Sequence, residues 1–215
     1  MAWTTPGTAT AGEVLTAAFW NTNVRDNSIM GSPVYTNEAA RDAAIPAPSE
    51  GMQCYLTAPT IPAATGASTF LPSGIRTIYN GSVWVCVTEI GGFTAATGAT
   101  NSATFTATLT GSPGTNVSVT LVTGTTALIS IGGRMVVDAA GNEAGISVAV
   151  SGATTLGAST DWGIGNTVTN AIIAGHTTII SGLTAGTNTF TLNYFGGATA
   201  NATFARRKLV VKGIA

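Results

Sequence analysis

From residue 103 onward the chain alternates short hydroxyl-rich, β-branched runs with turns of glycine, asparagine and proline, and this pattern constrains its fold more than any other feature. The runs cover 103–109, 117–122, 127–137, 146–150, 177–180, 189–194 and 203–211. Val, Ile and Thr lose side-chain freedom against a helical turn but pack well on a pleated surface, so these stretches argue against helix. Seven or eight short strands in about 110 residues give a β-sandwich or jelly roll. The expected fold class is therefore mainly β, with a jelly-roll-like sandwich over residues 93–215.

The N-terminal part follows different rules. Thr10-Ala-Gly-Glu13 matches a capping box, in which hydroxyl and carboxylate satisfy free backbone amides reciprocally. Val14, Leu15, Ala18 and Phe19 then form one apolar stripe opposite Asn21, Asn23, Arg25, Asp26 and Asn27, which predicts a helix over 11–29. One narrow stripe does not support an isolated helix, so this one must dock. A second helix is expected over 37–44, opened by Thr36 and closed ahead of Pro46.

From Gly51 the period changes to two. Met52, Cys54 and Leu56 alternate with polar neighbours, and Arg76-Thr-Ile-Tyr79 faces Ser82-Val-Trp-Val-Cys-Val87 across Asn80-Gly81, a pair suited to a type I′ hairpin turn. Three strands form only a marginal sheet, which needs a helix or another chain to cover it. Glycines from 91 to 98 mark a second boundary. The expected division is an anchoring region at 1–50, a small β-hairpin module at 51–92 and the sandwich at 93–215.

Composition bears on assembly. Only 8% of the 215 residues are charged, the formal net charge is −1 and there are 27 glycines. With a mean hydropathy of +0.36, such a chain suits packing against copies of itself or inside a larger particle better than life as a free monomer. Arg206, Arg207, Lys208 and Lys212 lie together near the C-terminus, but no basic stripe runs along the rest, so no nucleic-acid partner is expected. No apolar stretch approaches the about 20 residues of a membrane span, and the first residues lack signal-peptide regions, so neither membrane insertion nor secretion is expected. Cys54 and Cys86 can be buried thiols or a disulfide. Assembly in reducing cytoplasm favours the thiols.

The search for chemistry finds little. His176 is the only histidine, and no carboxylate has a defined relation to it. Asp138, Asn142 and Glu143 could surround a cation, yet their spacing matches no EF-hand, and turns need these residues anyway. Asp161-Trp-Gly-Ile-Gly-Asn166 lacks the third glycine and the flanking strand and helix of a dinucleotide loop. No catalytic residue, metal or cofactor is therefore expected, and the chain does not read as an enzyme. A polysaccharide depolymerase would need paired carboxylates converging on a groove. Trp162 and Asn166, in a Gly/Asn-rich loop, are candidates for a glycan or interface contact. Trp3, Trp20 and Trp84 are large enough to anchor a docking surface.

Three segments resemble virion proteins of tailed bacteriophages. Thr-Ala-Thr-Ala-Gly-Glu-Val-Leu-Thr-Ala-Ala-Phe-Trp-Asn-Thr-Asn-Val-Arg-Asp-Asn, residues 8–27, is similar to a segment that recurs at the start of minor tail, head-fibre and tail-fibre proteins. Residues 36–52, Thr-Asn-Glu-Ala-Ala-Arg-Asp-Ala-Ala-Ile-Pro-Ala-Pro-Ser-Glu-Gly-Met, followed by Tyr79-Asn-Gly-Ser-Val-Trp84, resemble a small module of tail-associated proteins, from which the insertion at 58–73 departs. Residues 119–215 resemble a TNF-like or phage jelly-roll head through Ser-Gly-Leu-Thr-Ala-Gly-Thr-Asn-Thr-Phe-Thr-Leu-Asn-Tyr (181–194) and Ala-Thr-Phe-Ala-Arg-Arg-Lys-Leu-Val-Val (202–211), the latter a terminal strand near the sheet centre. The resemblance implies a homotrimeric structural protein on the exterior of a capsid or tail, assembled in host cytoplasm. Trp3, Val14, Leu15, Phe19, Trp20 and Arg25 would then attach it to capsid or tail proteins. A capsid decoration, a head fibre and a minor tail protein all fit, and the alternative role is a tail-fibre adhesin that binds a host receptor or surface glycan.

Overall fold

The computed structural model describes residues 32–197 and 201–215. The expected helix over 11–29 and the candidate attachment residues Trp3, Val14, Leu15, Phe19, Trp20 and Arg25 lie outside the described residues.

Strand β1 (Val34–Tyr35) leads into helix α1 (Glu38–Ala44), and the chain returns as β2 (Gln53–Leu56), parallel to β1. Parallel neighbours need such a crossover. The helix is capped by Asn37, not Thr36: the Asn37 side chain accepts the Ala40 N–H at 3.0 Å. Strands β3 (Ala63–Ala64) and β4 (Ser68–Phe70) precede the hairpin of β5 (Ile75–Tyr79) and β6 (Trp84–Cys86). The small sheet has the order β1-β2-β5-β6.

The hairpin turn differs from the expected one. Tyr79 pairs with Trp84, and Asn80 N–H donates to Val83 O at 3.2 Å, so the tip is Gly81-Ser82. Asn80 Oδ1 accepts the N–H groups of Ser82 and Val83 at 3.1 and 2.9 Å, which moves the turn one residue on. The pairing slides by two residues, so every side chain keeps its face. Trp84 is buried under the guanidinium of Arg41, which lies 4.7 Å from the ring centroid and fastens α1 to the small sheet. It is thus spent inside the chain instead of on an outside partner.

The remaining strands build the sandwich: β7 (Ile90–Thr94), β8 (Gly98–Thr100), β9 (Thr110–Gly111), β10 (Ser118–Thr123), β11 (Thr126–Val137), β12 (Ala144–Gly152), β13 (Ile164–Asn166), β14 (Ile172–Ser181), β15 (Gly186–Gly196) and β16 (Ala202–Ile214). One sheet runs β14-β11-β16-β7-β4 and the other β13-β12-β15-β10-β3. Taken over the eight strands β7 and β10 to β16, the orders become 1-8-3-6 and 2-7-4-5, the winding of a jelly roll. The terminal strand β16 lies at the centre of the β14-β11-β16-β7-β4 path of its seven-stranded sheet, which β8 and β9 complete, as the resemblance implied.

Alternation places Ile129, Ile131 and Met135 of β11 and Phe190, Leu192 and Tyr194 of β15 in the core between the sheets, and on β16 alternation on either side of a bulge adds Phe204, Leu209 and Val211. Two expectations change. Residues 103–109 do not form a strand; their ladder is a single bridge, Thr106 to Tyr194, because Ser102 Oγ donates to Thr104 O and Thr106 Oγ1 accepts Thr108 N–H, local bonds that compete with pairing. The boundary drawn at 92/93 falls inside β7, and the insertion at 58–73 sends β3 onto β10 and β4 onto β7, closing an edge of each sheet.

Candidate functional site

The two outer faces of the sandwich differ. On the β13-β12-β15-β10-β3 sheet the outward positions of β10 and β15 include Ser118, Thr120, Thr187, Thr189, Thr191 and Asn193, and Thr120 Oγ1 lies 2.8 Å from Thr189 Oγ1. This is the wetted face expected of an antiparallel sheet.

On the other sheet, cross-strand register lines up Leu128 with Ile179, Arg134 with Ile173, and Ser130 with both Thr177 and Val210. Phe93 and Phe70 extend the row through β7 and β4. Ile173, Phe70, Ile179 and Phe93 are 69%, 65%, 57% and 37% exposed. Outward Gly91, Gly132 and Gly175 flatten the surface, and a depression of about 370 Å³ lies between Phe70, Phe93, Glu89 and Lys208. Lys208, Lys212, Arg134 and Glu89 stand among these apolar side chains, and Ser130 with Thr177 lies between the Leu128–Ile179 pair and Ile173.

Sequence reasoning missed this face, although a signal was present. Ile172-Ile173, Ile179-Ile180, Leu128-Ile129, Val136-Val137 and Val210-Val211 are apolar at successive positions, so both strand faces are apolar there. Such runs belong to strands covered on both sides. Within the described residues only the inner side is covered.

Trp162 and Asn166 are both engaged internally. Trp162 packs against the core and donates its indole N–H to Val148 O at 2.9 Å. Asn166 is buried; its amide donates to Met135 O and Asn170 O at 3.2 and 3.1 Å and its oxygen accepts Val168 N–H. Asn166 nevertheless borders a pocket of about 230 Å³, lined also by Phe105, Phe195, Glu143, Thr160, Thr167 and Gly163 to Gly165. Phe105 meets Phe195 edge-on, with centroids 4.9 Å apart at 79°. The Phe195 ring lies against Gly145, where a Cβ would collide with it.

The residues weighed for chemistry do not converge. His176 is exposed on β14, opposite Ile131. Asp138 accepts the Asn201 N–H at 3.0 Å, and Gly141, at φ +85°, completes a turn between β11 and β12. Among the described residues no three His, Cys, Asp or Glu side chains are grouped to hold a metal ion. Burial acts to raise the Glu38 carboxyl, but the N–H groups of Thr60 and Ile61 and the Thr60 hydroxyl outweigh it and hold the group below its usual range.

Cys54 and Cys86 are buried free thiols. Both pair with Thr77 across β5, from opposite sides. Two strand spacings put their backbones about 9–10 Å apart, beyond the about 7 Å that a disulfide spans. Burial pushes the Cys86 thiol up to about 11, partly opposed by the backbone of Thr88.

No family model matches the chain, and no curated protein matches it. Two solved structures are similar to it at low levels. TmCBM61 in complex with β-1,4-galactotriose shares 9% identity at a TM-score of 0.20, over 56% of this chain and 68% of that one. The CBM22-1 xylan-binding domain of Paenibacillus barcinonensis Xyn10C shares 12% at a TM-score of 0.24, over 56% of this chain and 88% of that one.

Proposed function

We propose that this chain is a non-catalytic structural protein of a tailed-phage particle, a homotrimeric appendage on the exterior of capsid or tail, attached through its N-terminal region. The observation that carries self-association is the outer face of the β14-β11-β16-β7-β4 sheet, where Ile173, Ile179, Phe70 and Phe93 stand exposed and Leu128 adjoins Ile179. Large apolar side chains exposed on one sheet face favour association. In a closed ring each copy meets the next through two different patches, so one apolar face per chain suffices. The particle assignment is supported by the resemblance of residues 8–27 to phage appendage proteins.

Light scattering of the full chain at micromolar concentration tests the assembly. The expected mass is three times the 21.4 kDa of one chain; a single-chain mass would overturn it. Density for the protein on the outside of the intact particle in an electron-microscopy map is the expected result for its location, and absence of the chain from purified particles would overturn that part.

A second reading, a glycan-binding adhesin, is favoured by one observation. The pocket between Phe105 and Phe195 offers aromatic rings, hydroxyls of Thr160 and Thr167 and one carboxylate, a set suited to a neutral sugar ring. A glycan array showing binding that Phe105→Ala abolishes supports this reading, and an array without any bound saccharide removes it.

A further inference from the structure

Arg207 is the largest of the fully buried side chains, at 1% exposure. Its interior position is produced by a backbone irregularity. The ladder between β11 and β16 shifts register between Gly132 and Arg134, and Arg206 adopts φ +51°, the left-handed region that a non-glycine residue enters at a cost. The bulge lets Arg207 and Phe204 both point inward. A bulge of this kind re-aims a side chain, and here it aims a guanidinium into the core.

The cation it places there lacks a carboxylate within ion-pair distance among the described residues. Nη1 donates to Tyr194 Oη at 3.2 Å, and Nη2 donates to Ala96 O at 3.5 Å and to Pro113 O. Tyr194 Oη passes the chain on to Asn116 Oδ1 at 2.7 Å. These are neutral acceptors, and they leave the net positive charge in place. An interior charge is sustained when it is paired.

Two polar atoms in the same place have no hydrogen-bond partner: Arg207 Nε and Thr94 Oγ1. Arg207 and Thr94 are direct partners across β16 and β7, so their inward side chains are neighbours. Gly114, at φ +64°, adjoins them. A Cβ there would lie 3.3 Å from Thr94 Oγ1, so only glycine leaves the hydroxyl room.

We infer that Arg207 Nε and Thr94 Oγ1 are the donors of a buried binding site for a monatomic anion, chloride in solution. Both atoms present hydrogens, the guanidinium beside them has no counter-charge among the described residues, and Ala96, Pro113 and Gly114 lie against Arg207 and Thr94, which suits a small spherical anion better than a carboxylate or phosphate. The anion neutralises the guanidinium and fastens this segment, through Arg207, to the end of the sandwich. The site is independent of the phage assignment and of the association face.

Crystals of the full chain grown in bromide test it directly. The expected result is an anomalous peak within hydrogen-bond distance of Arg207 Nε and Thr94 Oγ1; a water at that position, with no anomalous signal, overturns the inference. In solution, the thermal midpoint is expected to rise saturably as chloride replaces gluconate at constant ionic strength. Thr94→Val keeps the shape and removes one donor, so it should weaken the halide response about tenfold. If no anion binds, the same change only removes an unsatisfied hydroxyl, and both proteins will melt without regard to halide. Arg207→Met should abolish the response wherever it folds.

Discussion

Replacing Ile173 and Ile179 together by serine should dissociate the assembly while leaving the subunit intact. Fully burying an isoleucine side chain is worth about 1.5–3 kcal/mol. These two are 69% and 57% exposed in the single chain, so each has about 1–2 kcal/mol still to gain from a neighbouring copy. The double variant then loses about 2–4 kcal/mol per contact, which weakens each contact about 30- to 700-fold. Because both side chains already face outward in the subunit, its own unfolding free energy should move by no more than about 0.5 kcal/mol. Sedimentation velocity over a hundredfold range of concentration reads the first quantity and urea unfolding of the dissociated species the second. A double variant that sediments like the parent would refute the assignment of this face. A variant that dissociates only because its subunit unfolds would refute the separation of association from folding.

The buried thiols set an alkaline limit. A group whose pKa is raised in the fold contributes stability that is complete below its unfolded value and lost as pH rises through the folded one. For Cys86 the window is about 9 to 11, worth roughly 3 kcal/mol. For Tyr194, pushed up chiefly by burial, the window is about 10 to 12; Cys86→Val should flatten the earlier fall in a pH series of urea midpoints, and Tyr194→Phe should leave it unchanged. Neither cysteine should react with a thiol reagent at neutral pH until the chain unfolds, when both should. Asn188 is fully buried, bonding Thr123 Oγ1 and Thr184 O and accepting Thr154 N–H. Asn188→Leu should cost about 2–4 kcal/mol in a thermal or urea melt by orphaning those partners. Trp162→Ala should lower stability by about 2–3 kcal/mol through lost packing, and a loss of host adsorption with unchanged stability would contradict its placement.

The sandwich was legible because its inward residues alternate so regularly. In β11, Ala127, Ile129, Ile131, Met135 and Val137 all point inward, and Thr126, Ser130 and Arg134 take polar positions between them. The terminal strand was legible through its position in a recurring segment. The strands that escaped notice are β1, β3, β4, β8, β9 and β13, each two or three residues long, and the five-residue β7, whose Gly91-Gly92 reads as a boundary; their pairing is set by the longer strands beside them. Residues 103–109 failed in the opposite sense. Their composition suits a strand, but hydroxyl groups at every second position bond locally and take the backbone away from the ladder.

The association face was hidden for a related reason. Period-two reasoning assigns one phase of a strand to the core and the other to water, and it reads an apolar residue on the second phase as noise. In β14 the second phase carries Ile173 and Ile179, in β11 Leu128 and Val136, and in β16 Val210 and Ile214. These belong to three adjacent strands of one sheet, and register brings Leu128 beside Ile179, with Val210 and Ile214 diagonal to Leu128. Scattered along the sequence they look like ordinary exposed hydrophobics, and only the strand order gathers them onto one surface. On the opposite sheet the second phase is mostly polar: along β15 it runs Thr187, Thr189, Thr191 and Asn193, uncharged and hydroxyl-rich, and only then Phe195. With 8% charged residues overall, water is met mainly by these hydroxyls and amides. Low charge and an apolar sheet face both favour packing against another copy, the arrangement proposed above.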